Sequence, residues 1–159
     1  MIKDDIYFMK RALSRAKAAA KQGEVPIGAV IVKDGEIIAT GRNMREKSKN
    51  ALLHAEVVAI HRACRKLGAW RLSECTLYVT MEPCPMCAGA IVNSRIKRIV
   101  FGCYDQKAGA YGSVFNLSEY PLNHKYEVVG GIMQDECAGI LSDFFTELRK
   151  RPKGIKNEN

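Results

Sequence analysis

Apolar residues follow two different spacings along this chain, and the two alternate. Runs in which apolar residues recur every three or four positions predict helices over about residues 4–22, 54–67, 86–93 and 136–150. Short apolar runs predict strands over residues 27–33, 36–40, 76–81, 99–102 and 126–129. Strands that alternate with helices indicate a three-layer α/β/α fold, in which a mixed five-stranded sheet has helices on both faces.

Turn and helix signals support these limits. Gly23 is a natural stop for the first helix, and Asp34-Gly35 is a dipeptide favoured in tight hairpins. Pro85 suits the first position of the third helix. The apolar residues of the last helix form one stripe that is expected to face the core: Cys137, Ile140, Leu141, Phe144, Phe145 and Leu148.

Length and composition exclude several classes of protein. The chain has 159 residues without a repeat or a linker-like stretch, which predicts one domain. It is 47% hydrophobic and 26% charged, unlike disordered or fibrous chains. The longest apolar run, residues 25–32, is too short to span a bilayer, and the polar N-terminus lacks the apolar segment of a signal peptide. We therefore expect a cytoplasmic protein.

The charge of the chain is basic, and much of the excess lies at the C-terminus. The net charge is +8, and residues 149–159 hold five basic residues and one acid. This divides the chain into a domain over residues 1–150 and a basic tail over residues 151–159. A basic surplus favours a polyanionic partner, although a frayed, solvated helix end explains the tail equally well.

The cysteines fall into two groups, and all six are expected to be thiols in a reducing compartment. Cys84 and Cys87 form a C-x-x-C motif at the start of the third predicted helix. The other four lie in apolar stretches and are interpreted as small buried hydrophobic residues: Cys64, Cys75, Cys103 and Cys137.

The C-x-x-C motif and an upstream histidine form a candidate metal site. His54 precedes Cys84 by thirty positions. Both thiols of a C-x-x-C can reach one metal when the second lies in the first turn of a helix, and imidazole is a further donor that zinc accepts. Three protein ligands leave one tetrahedral position open, as in catalytic zinc sites, where bound water becomes hydroxide at neutral pH.

Glu56 turns this metal site into a candidate active site. It lies two positions after His54, at a helix start, where a carboxylate can face the open side of the metal and move protons. The pattern H-x-E followed by P-C-x-x-C is the signature of zinc nucleobase deaminases, with the glutamate as general acid and base. Two other interpretations are a thioredoxin-like redox pair and a structural zinc completed by His61 or His124.

Together with further segments, these motifs resemble the bacterial tRNA adenosine deaminases of the cytidine deaminase superfamily over nearly the whole chain. Guanine and cytosine deaminases share the zinc motif but not the other segments. Those typical of the tRNA branch are Trp70-Arg-Leu, the block over residues 76–95, and Phe144-Phe145 in a basic terminal helix. The resemblance implies a cytidine-deaminase-like fold, one zinc ion per subunit and a homodimer.

The resemblance also implies an activity, the hydrolysis of adenosine to inosine at the wobble position, which is the first anticodon position of a tRNA. His54, Cys84 and Cys87 would be the zinc ligands. A zinc-bound hydroxide would attack C6 of adenine, and Glu56 would shuttle the protons. An anticodon loop suits this chemistry because its nucleotides can be splayed out at small unstacking cost.

Three further residues gain a substrate-binding role from the resemblance. Asn43 would bind the flipped nucleotide, the backbone of Ala55 would contact the base, and Asp105 would lie in a loop near the ribose and the RNA backbone. Without the resemblance, Asn43 is equally a turn residue that follows a strand.

Two segments depart from the family pattern. Residues 50–53, Asn-Ala-Leu-Leu, replace the usual Pro-Thr/Ser approach to His-Ala-Glu, and residues 111–122 differ from the usual loop. Two alternative functions therefore stay open. One is a deaminase of free guanine, cytosine or cytidine that does not act on RNA; the basic tail disfavours it, because a small neutral substrate needs no cationic surface. The other is a catalytically idle, zinc-stabilised RNA-binding subunit; Glu56 disfavours it, because an idle site needs no carboxylate beside the metal.

Overall fold

The computed structural model describes residues 3–151 of the chain. Four helices and five strands lie within this range. In chain order they are α1 (Asp5–Lys21), β1 (Gly28–Lys33), β2 (Glu36–Arg42), α2 (Ala55–Leu67), β3 (Cys75–Met81), α3 (Pro85–Asn93), β4 (Arg98–Cys103), β5 (Glu127–Val129) and α4 (Gln134–Arg149). Each predicted helix and strand is present near its predicted limits. A 3-10 turn that the pattern did not predict, Leu117–Glu119, lies between β4 and β5.

The strands form one mixed sheet in the order β2-β1-β3-β4-β5. β1 is antiparallel to both β2 and β3, whereas β3, β4 and β5 run parallel to one another. The hairpin between β1 and β2 turns at Asp34 and Gly35, which both have positive φ, as a tight turn requires. The parallel half places the carboxyl ends of β3 and β4 side by side, and ligand sites form at such ends in α/β proteins.

Alternate residues of each central strand enter different cores. In β1, Ala29 and Ile31 join the core under α2 and α3, while Val30 and Val32 join the core under α1 and α4. Helices therefore cover both faces of the sheet, and the predicted three-layer α/β/α architecture is confirmed. Within residues 3–151, no helix is long and apolar enough to cross a membrane.

Hydrogen bonds and an ion pair connect the start of α1 to strands β3 and β4. The guanidinium of Arg98 donates two hydrogen bonds to the carboxylate of Asp5, over 2.7 and 2.8 Å, and the hydroxyl of Tyr78 donates a third over 2.7 Å. These bonds lower the pKa of Asp5, with the Arg98 hydrogen bond as the largest cause. Asp4 caps the same helix by accepting a hydrogen bond from the Tyr7 N–H.

The backbone of β2 lies directly against the first turns of α2. A Cβ on Gly41 would come within 2.2 Å of the Ala55 carbonyl oxygen and 2.7 Å of the Ala59 nitrogen. Glycine is therefore required at this position, and Ala59 is buried beneath it. This close approach sets the position of α2, and with it that of His54, the residue that precedes the helix.

The last helix is less buried than its apolar stripe predicts. The residues that α4 contributes to the core, Cys137, Ile140 and Leu141, all lie in its first half. Phe145 and Leu148, in the second half, are exposed and belong to neither core. Of the predicted basic tail, residues 152–159 lie outside the described residues. Among the four cysteines predicted to be buried, Cys64 is half-buried and the others are buried.

Candidate active site

Two helices begin at the same place, at the carboxyl ends of β3 and β4. His54 has extended backbone and directly precedes α2, and Cys84 has extended backbone and directly precedes α3. Pro85 occupies the first position of α3, as predicted, where its missing N–H costs no hydrogen bond. Cys87 then lies in the first turn of α3, buried, on the side that faces His54.

The three predicted metal ligands converge. Nδ1 of His54 lies 3.6 Å from the Sγ atom of Cys84 and 3.6 Å from that of Cys87, and the three donor atoms all lie within 4.8 Å of one another. A tetrahedral zinc with ordinary bond lengths separates a nitrogen and a sulfur ligand by about 3.6 Å. The donor set therefore fits a tetrahedral ion such as zinc.

The electrostatics of the thiols favour a bound cation. The hydrogen bond from Cys87, followed by that with His54, lowers the pKa of Cys84 to about 4, so its thiolate dominates at neutral pH. That thiolate and burial together raise the pKa of Cys87 far above its ordinary value. Two adjacent thiolates repel each other, and a cation bound between them removes the repulsion.

Glu56, the predicted proton shuttle, lies beside this cluster but is not part of its donor set. It occupies the first turn of α2 with 4% of its surface exposed. Desolvation raises its pKa to about 7. A carboxyl group with a pKa near neutrality can both take up and release a proton, which is the property a general acid and base needs.

A cavity of about 110 Å³ opens next to the metal ligands; we call it the inner cavity. The residues that line it are Val25, Ile27, Asn43, Arg45, His54 and Ala55. The predicted substrate-binding residues Asn43 and Ala55 therefore line the same cavity as His54. The Asn43 side chain is held by its own loop: its amide donates to the Val25 carbonyl over 3.3 Å and accepts from the Arg45 N–H over 3.1 Å.

Asp105, the third predicted substrate contact, lies in the loop after β4 and does not line the inner cavity. Its carboxylate accepts hydrogen bonds from the N–H groups of Lys107 and Ala108, over 3.0 and 3.2 Å. In this position Asp105 organises a turn at the edge of the site. Its contact with a nucleotide stays a prediction.

Glu82 is a site residue that the sequence interpretation missed. It is 2% exposed, follows β3 and precedes the Pro-Cys of the metal motif. Its carboxylate accepts hydrogen bonds from the N–H groups of Asp105, Tyr111 and Ser113, over 3.0 to 3.1 Å, and from the Ser113 hydroxyl. A buried acid at the end of an apolar strand, next to a ligand motif, is the signal that could have identified it.

Glu24 is a second buried glutamate, and it holds the loop between β2 and α2. It is buried, and its carboxylate accepts hydrogen bonds from the N–H groups of Glu46 and Lys47, over 2.9 and 2.7 Å. The loops on the two sides of the metal cluster are therefore each attached to the core by a buried glutamate.

The other histidines take no part in the site. His61 is exposed on α2. His124 stacks on Tyr126 and shares a short contact of 2.6 Å with the Ile96 carbonyl oxygen. Residues 3–151 supply three ligands to the cluster and no fourth. This disfavours a closed structural zinc site and leaves one tetrahedral position for a reacting molecule.

Comparison with known proteins agrees with this geometry. The family model of the MafB19-like deaminases matches residues 2–149. The tRNA-specific adenosine deaminase of Bacillus subtilis (strain 168) is 52% identical over 157 residues, which is 98% of this chain and 97% of that protein. The tRNA-specific adenosine deaminase of Aquifex aeolicus (strain VF5) is 48% identical over 146 residues, 90% of this chain and 95% of that protein.

Solved structures of two kinds of deaminase share this fold. A structure from work on A-to-I editing by tRNA:A34 deaminases superposes with a TM-score of 0.82 at 43% identity, and the match covers 85% of this chain and 99% of that one. The guanine deaminase of Bacillus subtilis gives a TM-score of 0.59 at 31% identity over 95% of this chain and 97% of its own. By motif, architecture and relatives, the chain belongs to the tRNA-specific adenosine deaminase family.

Proposed function

We propose that this protein hydrolyses adenosine to inosine at the first anticodon position of a tRNA, with zinc held by His54, Cys84 and Cys87. The observation that carries the proposal is the three-donor cluster with Glu56 buried beside it. The chain is 52% identical to a tRNA-specific adenosine deaminase but only 31% identical to a guanine deaminase, which favours tRNA over a free base as the substrate. Action in the cytoplasm as a homodimer belongs to the same proposal.

Zinc, when bound, supplies a Lewis acid that makes water a nucleophile at neutral pH. The protein supplies the proton transfers. Glu56 accepts a proton from the attacking water and delivers it to the ring nitrogen next to C6. It then takes the remaining proton from the oxygen added at C6 and donates it to the amino group as that group leaves. The net change adds one water, replaces the amino group at C6 by oxygen and releases ammonia.

Asn43 and the start of α2 orient the base in this proposal. The Asn43 amide has two N–H donors and an oxygen with two lone pairs, and its loop contacts use one of each. One N–H and one lone pair remain for the nucleotide that enters the inner cavity. The first N–H groups of α2, beginning at Ala55, have no acceptor within the helix and can donate to the base.

An RNA substrate explains why the target base can be reached. The inner cavity is small and lies at the end of the sheet, so a base must leave its stack to enter it. An anticodon loop offers such bases without the opening of a duplex. In this proposal Asp105, in the loop after β4, contacts the ribose and backbone of the flipped nucleotide.

The test compares four substrates with the zinc-loaded protein: an anticodon stem-loop with adenosine at the first anticodon position, free adenosine, cytidine and guanine. Inosine from the stem-loop is the expected product, and ammonia release measures each of the others. Turnover of a small substrate without turnover of the stem-loop would replace the proposal by a free-base deaminase. An absence of turnover from a protein with full zinc content would identify an idle RNA-binding subunit.

A further inference from the structure

Arg45 lies between the inner cavity and a second, larger cavity on the surface. The second cavity, which we call the outer cavity, has a volume of about 510 Å³ and is lined by Arg45, Glu46, Lys49, Asn50 and Ala51. Arg45 is the residue that lines both cavities. A strand that places one base in the inner cavity therefore passes this guanidinium on its way out.

The loop holds Arg45 in place from several directions. Its N–H donates to the Asn43 side chain over 3.1 Å, and its carbonyl accepts from the Asn50 N–H over 3.1 Å. The next N–H along the chain, that of Glu46, donates to the buried Glu24 carboxylate. The backbone of Arg45 is thus ordered before any ligand arrives, which reduces the entropy lost on binding.

The guanidinium itself is available to an anion. The Arg45 side chain is 49% exposed and its ion pair, with Glu46, is long and exposed, at 3.7 Å. Exposed pairs of this kind contribute little, so a ligand can displace it. Lys49 adds a second cation to the same cavity. Of common anions, phosphate matches the planar donor fork of arginine.

We propose that Arg45, assisted by Lys49, binds the phosphodiester linkage adjacent to the deaminated nucleotide, and that the outer cavity is the subsite for this linkage. The inference rests on the proposed RNA substrate. When a base is extruded into the inner cavity, its backbone stays outside and the flanking linkage lies against the outer cavity. Arg45 then distinguishes an RNA strand from a free base, which has no phosphate to contact.

The first experiment measures deamination of the anticodon stem-loop by zinc-loaded wild type, Arg45→Ala and Arg45→Lys over a range of salt concentrations. Loss of one charged contact is expected to raise KM about tenfold in Arg45→Ala with kcat nearly unchanged. The salt dependence of log KM should become shallower by about 0.7, as expected for one single-strand phosphate contact. Arg45→Lys, which keeps the charge, should recover part of the affinity.

Lys47→Ala is the matched control. Lys47 lies in the same loop, but its ammonium donates to the Gln22 side chain over 2.7 Å and lines neither cavity. Its KM and salt dependence should equal those of wild type. Equal changes in Lys47→Ala and Arg45→Ala would reduce Arg45 to part of a general basic surface and overturn the proposal.

The second experiment locates the contact on the RNA. Each linkage beside the target nucleotide is replaced in turn by a neutral methylphosphonate. One replacement should raise the KM of wild type about tenfold and leave that of Arg45→Ala within about twofold of its value on unmodified RNA. Equal effects on both enzymes, or none, would contradict the proposal. Competition by adenosine 5′-monophosphate without any methylphosphonate effect would also contradict it, because the site would then serve a terminal phosphate.

The unmodified stem-loop separates this inference from the proposed function. If wild type deaminates it, the proposed function holds and the Arg45 measurements decide the subsite. If wild type does not deaminate it, the proposed function fails, and with it the premise of the subsite.

Discussion

Glu56 and Glu82 are both buried glutamates at the active site, and their environments give them opposite properties. The carboxylate of Glu82 is surrounded by donors, and although burial acts to raise its pKa, the hydrogen bonds from Ser113, Asp105 and Tyr111 lower it overall. Desolvation dominates at Glu56 and raises its pKa to about 7. The larger set of hydrogen-bond donors at Glu82 lowers the pKa of that carboxyl, whereas burial outweighs the hydrogen bonds at Glu56 and raises its pKa.

The two residues therefore have different roles. Glu82 stays ionised and joins the end of β3 to the loop after β4, while the Ala110 N–H donates to the Pro83 carbonyl and adds a second link between the same segments. Glu56 contributes little to the attachment of loops and is the proposed proton shuttle. Variants that keep the shape of a glutamate but remove its charge test this division.

The largest expected effect is on catalysis in Glu56→Gln. Without a group that takes up and releases protons, kcat for the stem-loop should fall by about 10²–10⁴-fold. Zinc content, measured by elemental analysis, and the unfolding temperature should stay near their wild-type values. A Glu56→Gln protein with the kcat of wild type would show that Glu56 is not the group that transfers the protons.

In Glu82→Gln the main effect should be on stability. Gln presents an NH₂ group to donors that need an acceptor, and about 2–3 kcal/mol of the free energy of unfolding should be lost. Chemical denaturation measures this loss. Because the loop that carries Asp105 is loosened, KM for the stem-loop should rise while bound zinc is retained. Catalytic loss as large as in Glu56→Gln, at full stability, would assign Glu82 to the chemistry instead.

A smaller loss of stability is expected from Glu24→Gln. Glu24 accepts two backbone hydrogen bonds where Glu82 accepts three and a hydroxyl, so the change should cost about 1–2 kcal/mol. The same denaturation measurement ranks the two variants. If Glu24→Gln proves more destabilising than Glu82→Gln, the number of donors is not what sets the stabilisation.

The smallest effect belongs to Asp5, whose carboxylate is about three-quarters buried and paired with Arg98. Asp5→Asn should lose about 1 kcal/mol at pH 7. Because the pKa of Asp5 is lowered in the folded protein, its contribution is complete above the ordinary value of 3.8 and is lost as the pH falls further. The stability difference between wild type and Asp5→Asn should therefore vanish in strong acid. A difference that persists there would point to packing rather than charge.

Much of the fold follows from local patterns in the sequence. Apolar spacing located each helix and strand because a helix or strand must place its apolar side chains on the buried face. The exception is instructive: the stripe of α4 continues through Phe145 and Leu148, which are exposed and belong to neither core. A spacing pattern records which side of a helix is apolar and carries no information on how far along the helix the core reaches.

The sequence by itself also predicted the candidate reacting groups, since His54, Glu56, Cys84 and Cys87 occur in a spacing that few other functions require. Only the tertiary structure decided how those groups are supported and reached. The groups that donate hydrogen bonds to Glu82 lie up to 31 positions away and those that donate to Glu24 up to 23, and Arg45 lines two cavities formed by different segments. Such contacts depend on the direction in which each loop presents its N–H groups, and that direction is set only when the strands and helices have packed together.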